Sequence, residues 1–165
     1  MHQRAHDFVA ANLPDKLSYV VEIGSRDING GIKDLLGDAR YHGIDIEPGR
    51  GVDEVADGAS WVPAGKTRPD AIICLEVLEH TEMWPDIIMQ IGSWAKPGST
   101  LLVTAAGPKR KPHSAVDGAE VRDGEWYENV RPDALQEVLE AAGFEDVTVV
   151  EVADDVQGKG VRAGG

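Results

Sequence analysis

The chain has 165 residues, 42% of them hydrophobic and 27% charged, with a formal net charge of −13. That length supports one domain with its own core, and the composition is ordinary for a globular protein. The acid excess argues against a general nucleic-acid binder, which needs cations to offset phosphates. No apolar run approaches the ~20 residues of a membrane helix.

The N-terminal Met-His-Gln-Arg-Ala-His-Asp lacks the apolar stretch of a signal peptide, so a cytoplasmic location is the expectation. A helix is predicted over 3–12, before Pro14, and a first strand over 18–23. A helix over 29–36, closed by Gly37, leads to a second strand over 40–45. Glu47-Pro48-Gly49-Arg50-Gly51 reads as a loop, 52–55 as a short third strand, and Asp57-Gly58-Ala59 as a turn.

A fourth strand is predicted over 70–75. It contains the chain's one cysteine, Cys74, set among apolar residues and read as a buried, inert thiol; a lone cysteine excludes a disulfide within the chain. Trp84, Ile87, Ile88, Ile91 and Trp94 recur at three- and four-residue spacing, predicting a helix over 83–94 with both tryptophans in the core. Lys96-Pro97-Gly98-Ser99 is a turn, and Thr100 to Ala105 a fifth strand. Residues 106–131 are rich in Gly, Pro and charge and include the basic run Lys109-Arg110-Lys111; so long a loop is predicted to be functional or disordered. Pro132 starts a helix over 132–142, stopped by Gly143. A sixth strand over 145–152 and a short last one over 160–163 would pair as a hairpin through 155–159.

Alternating helices and strands point to an α/β fold with a mostly parallel sheet. Within it, Tyr19-Val20-Val21-Glu22-Ile23-Gly24 is a strand that breaks into a glycine turn. Some 20 residues on, the second strand ends in Asp45. Strand, glycine turn, helix, strand and acid is how such folds build a nucleoside site. Glycine admits close backbone approach, and the acid can accept from both ribose hydroxyls.

Four ordered segments carry a family resemblance. They are Val21-Glu22-Ile23-Gly24; Gly43-Ile44-Asp45; Asp70 through Leu75 with Glu76-Val77-Leu78-Glu79-His80; and Lys96-Pro97-Gly98-Ser99 with the strand after it. Together with Leu139 to Phe144 they resemble the class I S-adenosylmethionine-dependent methyltransferases, in particular the small-molecule branch. The resemblance implies a Rossmann-like, doubly wound seven-stranded sheet in the order 3-2-1-4-5-7-6, with strand 7 antiparallel and helices on both faces. It implies one domain over 1–165, with 106–131 as a substrate-side loop or lid.

It also implies that Glu22, Gly24, Ser25 and Arg26 line the methionine portion of S-adenosylmethionine. Asp45 would hold the ribose, Asp57 and Gly58 the adenine amino edge, and Ile46 and Leu75 the adenine faces. Arg26 replaces the family's second glycine, and either pairs with the cofactor carboxylate or is a solvated turn residue. His80 either packs under the cofactor loop or acts as a base; His113 is the other catalytic candidate. Trp126 and Tyr127 stack on the acceptor or anchor the loop. Glu76 and Glu79 read as a loop acid and a helix-start charge, and no metal ligand set is evident, because Glu79-His80-Thr81-Glu82 has no i, i+4 histidine pair.

The resemblance implies methyl transfer to an oxygen, nitrogen or carbon nucleophile of a small-molecule acceptor, with no membrane partner and a homodimer left open. Two alternatives stand beside it: an NAD(P)-binding Rossmann oxidoreductase, for which Gly24-Ser25-Arg26 lacks the Gly-x-Gly-x-x-Gly fingerprint, and a catalytically inactive methyltransferase-like binding protein.

Overall fold

The computed structural model describes residues 3–28 and 30–164. Helix α1 is Gln3–Asn12, followed by strands β1 (Tyr19–Ile23), β2 (Arg40–Asp45), β3 (Glu54–Val55) and β4 (Ala71–Leu75). Helix α2 (Trp84–Trp94), β5 (Thr100–Ala106), α3 (Pro132–Ala141), β6 (Phe144–Val152) and β7 (Asp155–Arg162) complete the chain. The sheet runs β3-β2-β1-β4-β5-β7-β6, the order expected from the family resemblance. β1 is parallel to β2 and β4, and β5 to β4, whereas β7 runs antiparallel to both β5 and β6.

Side chains alternate along each central strand, so the sheet has two apolar faces. Val20, Ile73 and Leu102 pack with Val9 of α1 and with Ile32 and Leu36. Val21, Ile72, Cys74, Leu101 and Val103 pack on the opposite face with Ile87, Ile88, Ile91 and Trp94 of α2 and Leu135 and Leu139 of α3. Trp84 is only partly buried against that face. Cys74 is fully buried, and burial pushes its thiol well above the usual range. Among the described residues no helix is long and apolar enough to cross a membrane.

Two expectations about local structure do not hold. The helix expected over 29–36 is a single 3-10 turn, Lys33–Leu35; Asn29 lies outside the described residues. Asp27 accepts a hydrogen bond from the Gly30 amide, which holds the preceding segment as a turn, and the interval before Gly37 is too short to propagate a helix. Ile32 and Leu36 still reach the core.

The final hairpin also differs. β7 starts at Asp155, and the two-residue turn is Ala153-Asp154, so the segment expected as a turn is strand. Its glycines are there for contact. A Cβ on Gly158 would lie 3.0 Å from Leu135 Cδ2, and one on Gly160 2.9 Å from Phe144 Cβ.

Gly92 on α2 has the same constraint. A Cβ there would lie 2.2 Å from the Ala142 carbonyl oxygen at the end of α3. Gly92→Ala is therefore expected to destabilise the fold by ~1–3 kcal/mol despite its better helix propensity, read by chemical denaturation. A neutral or stabilising result would mean that the two helices do not meet this closely.

Candidate active site

The C-terminal ends of β1, β2 and β4 open into a cleft of about 1630 Å³, walled on its far side by residues 109–126. This is where an open α/β sheet places its ligand. Gly24 follows β1 at φ +77°, and a Cβ there would collide with Val77 Cγ2 at 2.1 Å. Both the Gly24 and Ser25 amides donate to the Ile44 carbonyl, at 2.9 and 3.0 Å, which pins the turn to the tip of β2.

Glu22, Asp45 and Asp57 line the near side, together with Asp27 and Glu47. Glu22 is buried and accepts a 2.5 Å hydrogen bond from the Tyr41 hydroxyl. Burial pushes its carboxyl up to about 7, against the Tyr41 hydrogen bond and the Lys33 charge, which pull it down. Asp45 accepts from the Arg26 amide at 3.1 Å on Oδ2 and from the Glu47 amide at 3.0 Å on Oδ1. These bonds cap the turn, and each oxygen keeps acceptor capacity for a ligand. Asp57 accepts from the Ala59 amide at 2.9 Å and faces the same cleft.

Gly24, Ser25, Arg26, Ile46, Gly58 and Leu75 also line this side. Ile46 is 68% exposed and presents apolar surface beside Asp45. Gly58 is needed for closeness, since a Cβ would lie 2.8 Å from Ile23 Cγ2. The stem of Arg26 lies against Gly49, where a Cβ would meet its Cγ at 2.8 Å.

The far side is built from the β4 tip and the long loop. Glu76 has φ +55°, a conformation costly for a residue with a side chain. It is held there by the Thr104 hydroxyl, which donates at 2.8 Å, and by Arg110 at 3.3 Å. Arg110 also pairs with Asp155, and Lys109 with Glu151 at 2.6 Å, so much of the basic run is neutralised within the fold. Glu76 is a loop acid and Glu79 stands at a helix start, as expected, but neither is solvated. Glu79 lies in a 3-10 turn, Leu78–His80, and is fully buried. Burial first, then the Glu76 charge, raises its carboxyl well above the usual range.

His80 and His113 both line the cleft, with ring centroids 5.0 Å apart. Burial, then the neighbouring His113, holds His80 down to about 4, so it is neutral at pH 7. His113 Nδ1 lies 3.2 Å from the Lys111 carbonyl. Trp126 is 43% exposed and lines the cleft. Tyr127 does not line it; its ring packs edge-on against His80 and His113, at 5.6 and 5.1 Å, so of its two readings the geometry matches the loop anchor. The loop is tied at its base by Glu128 N to Glu79 O at 2.9 Å and Val130 N to Ala106 O at 2.8 Å. The Asn129 side-chain amide adds a bond to Gly107 O at 2.6 Å.

Residues 1–149 match the family described as Methyltransferase domain, and the chain belongs to that family. Among solved structures, the fold is similar to magnesium protoporphyrin IX methyltransferase from Synechocystis PCC 6803, determined with bound S-adenosylmethionine. That pair shares 20% identity, with a TM-score of 0.66, over 98% of this chain and 80% of the other. The 1,6-didemethyltoxoflavin-N1-methyltransferase of Burkholderia thailandensis is 13% identical over 98% of this chain and 78% of its own, at a TM-score of 0.70. Human N-acetylserotonin methyltransferase is 15% identical over 96% of this chain, at a TM-score of 0.63. The chain spans 52% of that human protein, about half its length. Among curated protein sequences none matches the chain. At these identities the likeness is one of fold.

Glu22 sets a pH dependence on the ligand-free protein. Its folded carboxyl titrates near 7 against an ordinary 4.5, so between those values the folded state holds a proton that the unfolded state has released. Stability is therefore expected to fall as pH rises from about 4.5 to about 7 and to level off above, by about 3 kcal/mol in full. Glu79, raised for the same reason, adds a slope of the same sign. Urea unfolding across this range should show the decline, and Glu22→Gln should flatten it. An unchanged slope in the variant would mean that Glu22 is charged and well solvated.

Proposed function

We propose that the chain is an S-adenosylmethionine-dependent methyltransferase acting on oxygen, nitrogen or carbon of a small-molecule acceptor. One observation carries the reading: Glu22, Asp45 and Asp57, from adjacent strand tips, converge on a single cleft beside the uncovered apolar face of Ile46. The residues fit that cofactor. Asp45 keeps acceptor capacity for ribose hydroxyls, Ile46 and Leu75 offer apolar surface to adenine, and Asp57 offers an acceptor to its amino group. A carboxylate-lined wall suits a cationic sulfonium. The glycine turn lacks a phosphate-binding fingerprint, which favours a nucleoside without pyrophosphate over NAD(P). The solved relatives named above carry small-molecule acceptors in their names.

When bound, the cofactor supplies an electrophilic methyl on a good leaving group. What the chain has to do is hold donor and acceptor in line and exclude water, an effect that can account for ~7–11 kcal/mol of barrier lowering. The turn at Gly24 to Arg26 would hold the amino-acid tail, with Glu22 toward its ammonium. The segment over 106–131 would form the acceptor wall, with Trp126 available to stack on the substrate and His80 and His113 flanking the reacting atoms.

Calorimetric titration with S-adenosylhomocysteine tests the cofactor assignment. Asp45→Ala is expected to lose ~1.5–3 kcal/mol of affinity, the worth of hydrogen bonds to a charged group. Unchanged affinity would refute the ribose role. NADH binding without S-adenosylhomocysteine binding would move the chain to the oxidoreductases. Tight binding with no methyl transfer to any of a broad acceptor panel would favour an inactive binding protein.

A further inference from the structure

The far side of the cleft contains a buried carboxylate that the methyl-transfer reading leaves unused. Glu79 is fully buried, and neither of its carboxylate oxygens has a hydrogen-bond partner. The nearby backbone of Glu79 and Ala106 favours its charged form without meeting it at bonding geometry. Its Oε1 points between two imidazoles, 4.0 Å from His80 Nε2 and 4.0 Å from His113 Nε2. Those separations are too long for hydrogen bonds. One ligand-type atom from each of the three residues lies within 4.8 Å of the others.

We propose that Glu79, His80 and His113 form a binding site for one divalent transition-metal ion of the zinc type, open toward the cleft. Two imidazole nitrogens and a carboxylate oxygen are a borderline donor set, suited to zinc, cobalt or iron rather than to magnesium or calcium. Three protein ligands leave a coordination position free. It faces the cleft, because His80 and His113 line it while Glu79 closes the back.

The outer contacts agree. A carbonyl can only accept, so the His113 Nδ1 contact with the Lys111 carbonyl places that ring's proton on Nδ1 and leaves Nε2 with its lone pair toward Glu79. Tyr127 packs edge-on against both rings and fixes their planes.

Tetrahedral bonds of ~2.0–2.1 Å require ligand atoms ~3.4 Å apart. The three side chains therefore draw in by about an ångström on binding, a movement that falls to the loop bearing His113. With an ion in place the two imidazoles serve as ligands, not as bases, and the open position can take an acceptor heteroatom.

The test is a cobalt titration of the full, tag-free chain after chelator treatment, with cobalt standing in for zinc. The expected result is visible d–d absorption that saturates at one equivalent and is abolished by one equivalent of zinc. Glu79→Gln and His113→Ala should each weaken cobalt binding by at least about tenfold. Circular dichroism checks that each variant is folded. His113 sits in the loop, so its variant keeps the test informative if the buried Glu79 substitution unfolds the chain. No saturation at millimolar cobalt, or affinity unchanged in folded His113→Ala, would overturn the site. S-adenosylhomocysteine titration of the same metal-free protein reports on the methyltransferase reading separately, since Asp45 and Asp57 are not ligands.

Discussion

The cleft depends on one junction, where the end of β1 is tied to the end of β2. Two successive amides, Gly24 and Ser25, donate to the single carbonyl of Ile44, and the next amide, Arg26, donates to Asp45. That arrangement turns the chain sharply away from the sheet and fixes the Asp45 side chain at its edge. It requires the left-handed backbone of Gly24 and the absence of a side chain against Val77. Because β4 is in register with β1 on the other side, Ile23 opposite Cys74, the same junction fixes where Leu75 and Glu76 emerge. Both walls of the cleft thus take their positions from the end of β1.

The two walls differ in chemistry. The wall on the β1 and β2 side carries carboxylates whose remaining acceptor capacity faces the cavity, and it suits a cationic nucleoside. The opposite wall is a buried network in which Arg110 ties the β4 tip to Asp155 in β7, through Glu76 at φ +55°. Strain of that kind, of order 1–3 kcal/mol, persists only where surrounding contacts hold it. Here the Thr104 hydroxyl and the Arg110 guanidinium do so. The network anchors the first part of the 106–131 loop to the sheet, while Asn129 and Val130 anchor its end. What lies between lines the far side of the cleft.

Much of this was legible in the residues. The order of apolar runs, the glycine after Ile23 and the acid after Ile44 marked out the strand tips that line the cleft. The sheet order came from the family resemblance; periodicity alone does not fix which strands are neighbours. The helix expected over 29–36 shrinks to one 3-10 turn, because burying Ile32 and Leu36 needs no more than that. β7 is longer than expected because Gly158, within the stretch 155–159 expected as a turn, is a strand glycine with Leu135 pressing on it. Glu79 was hidden for a different reason. Beside His80 it reads as a helix-start charge, and its second imidazole neighbour, His113, arrives from a loop remote in sequence. Only the three-dimensional path of that loop brings them together.

A crystal structure of the chain with S-adenosylhomocysteine tests the central claim most directly. The ribose should lie on Asp45, the adenine against Ile46 with its amino group toward Asp57, and the sulfur should face the end of the cleft that holds His80 and His113. A nucleoside bound elsewhere, or one in this cleft that leaves Asp45 facing solvent, would contradict it.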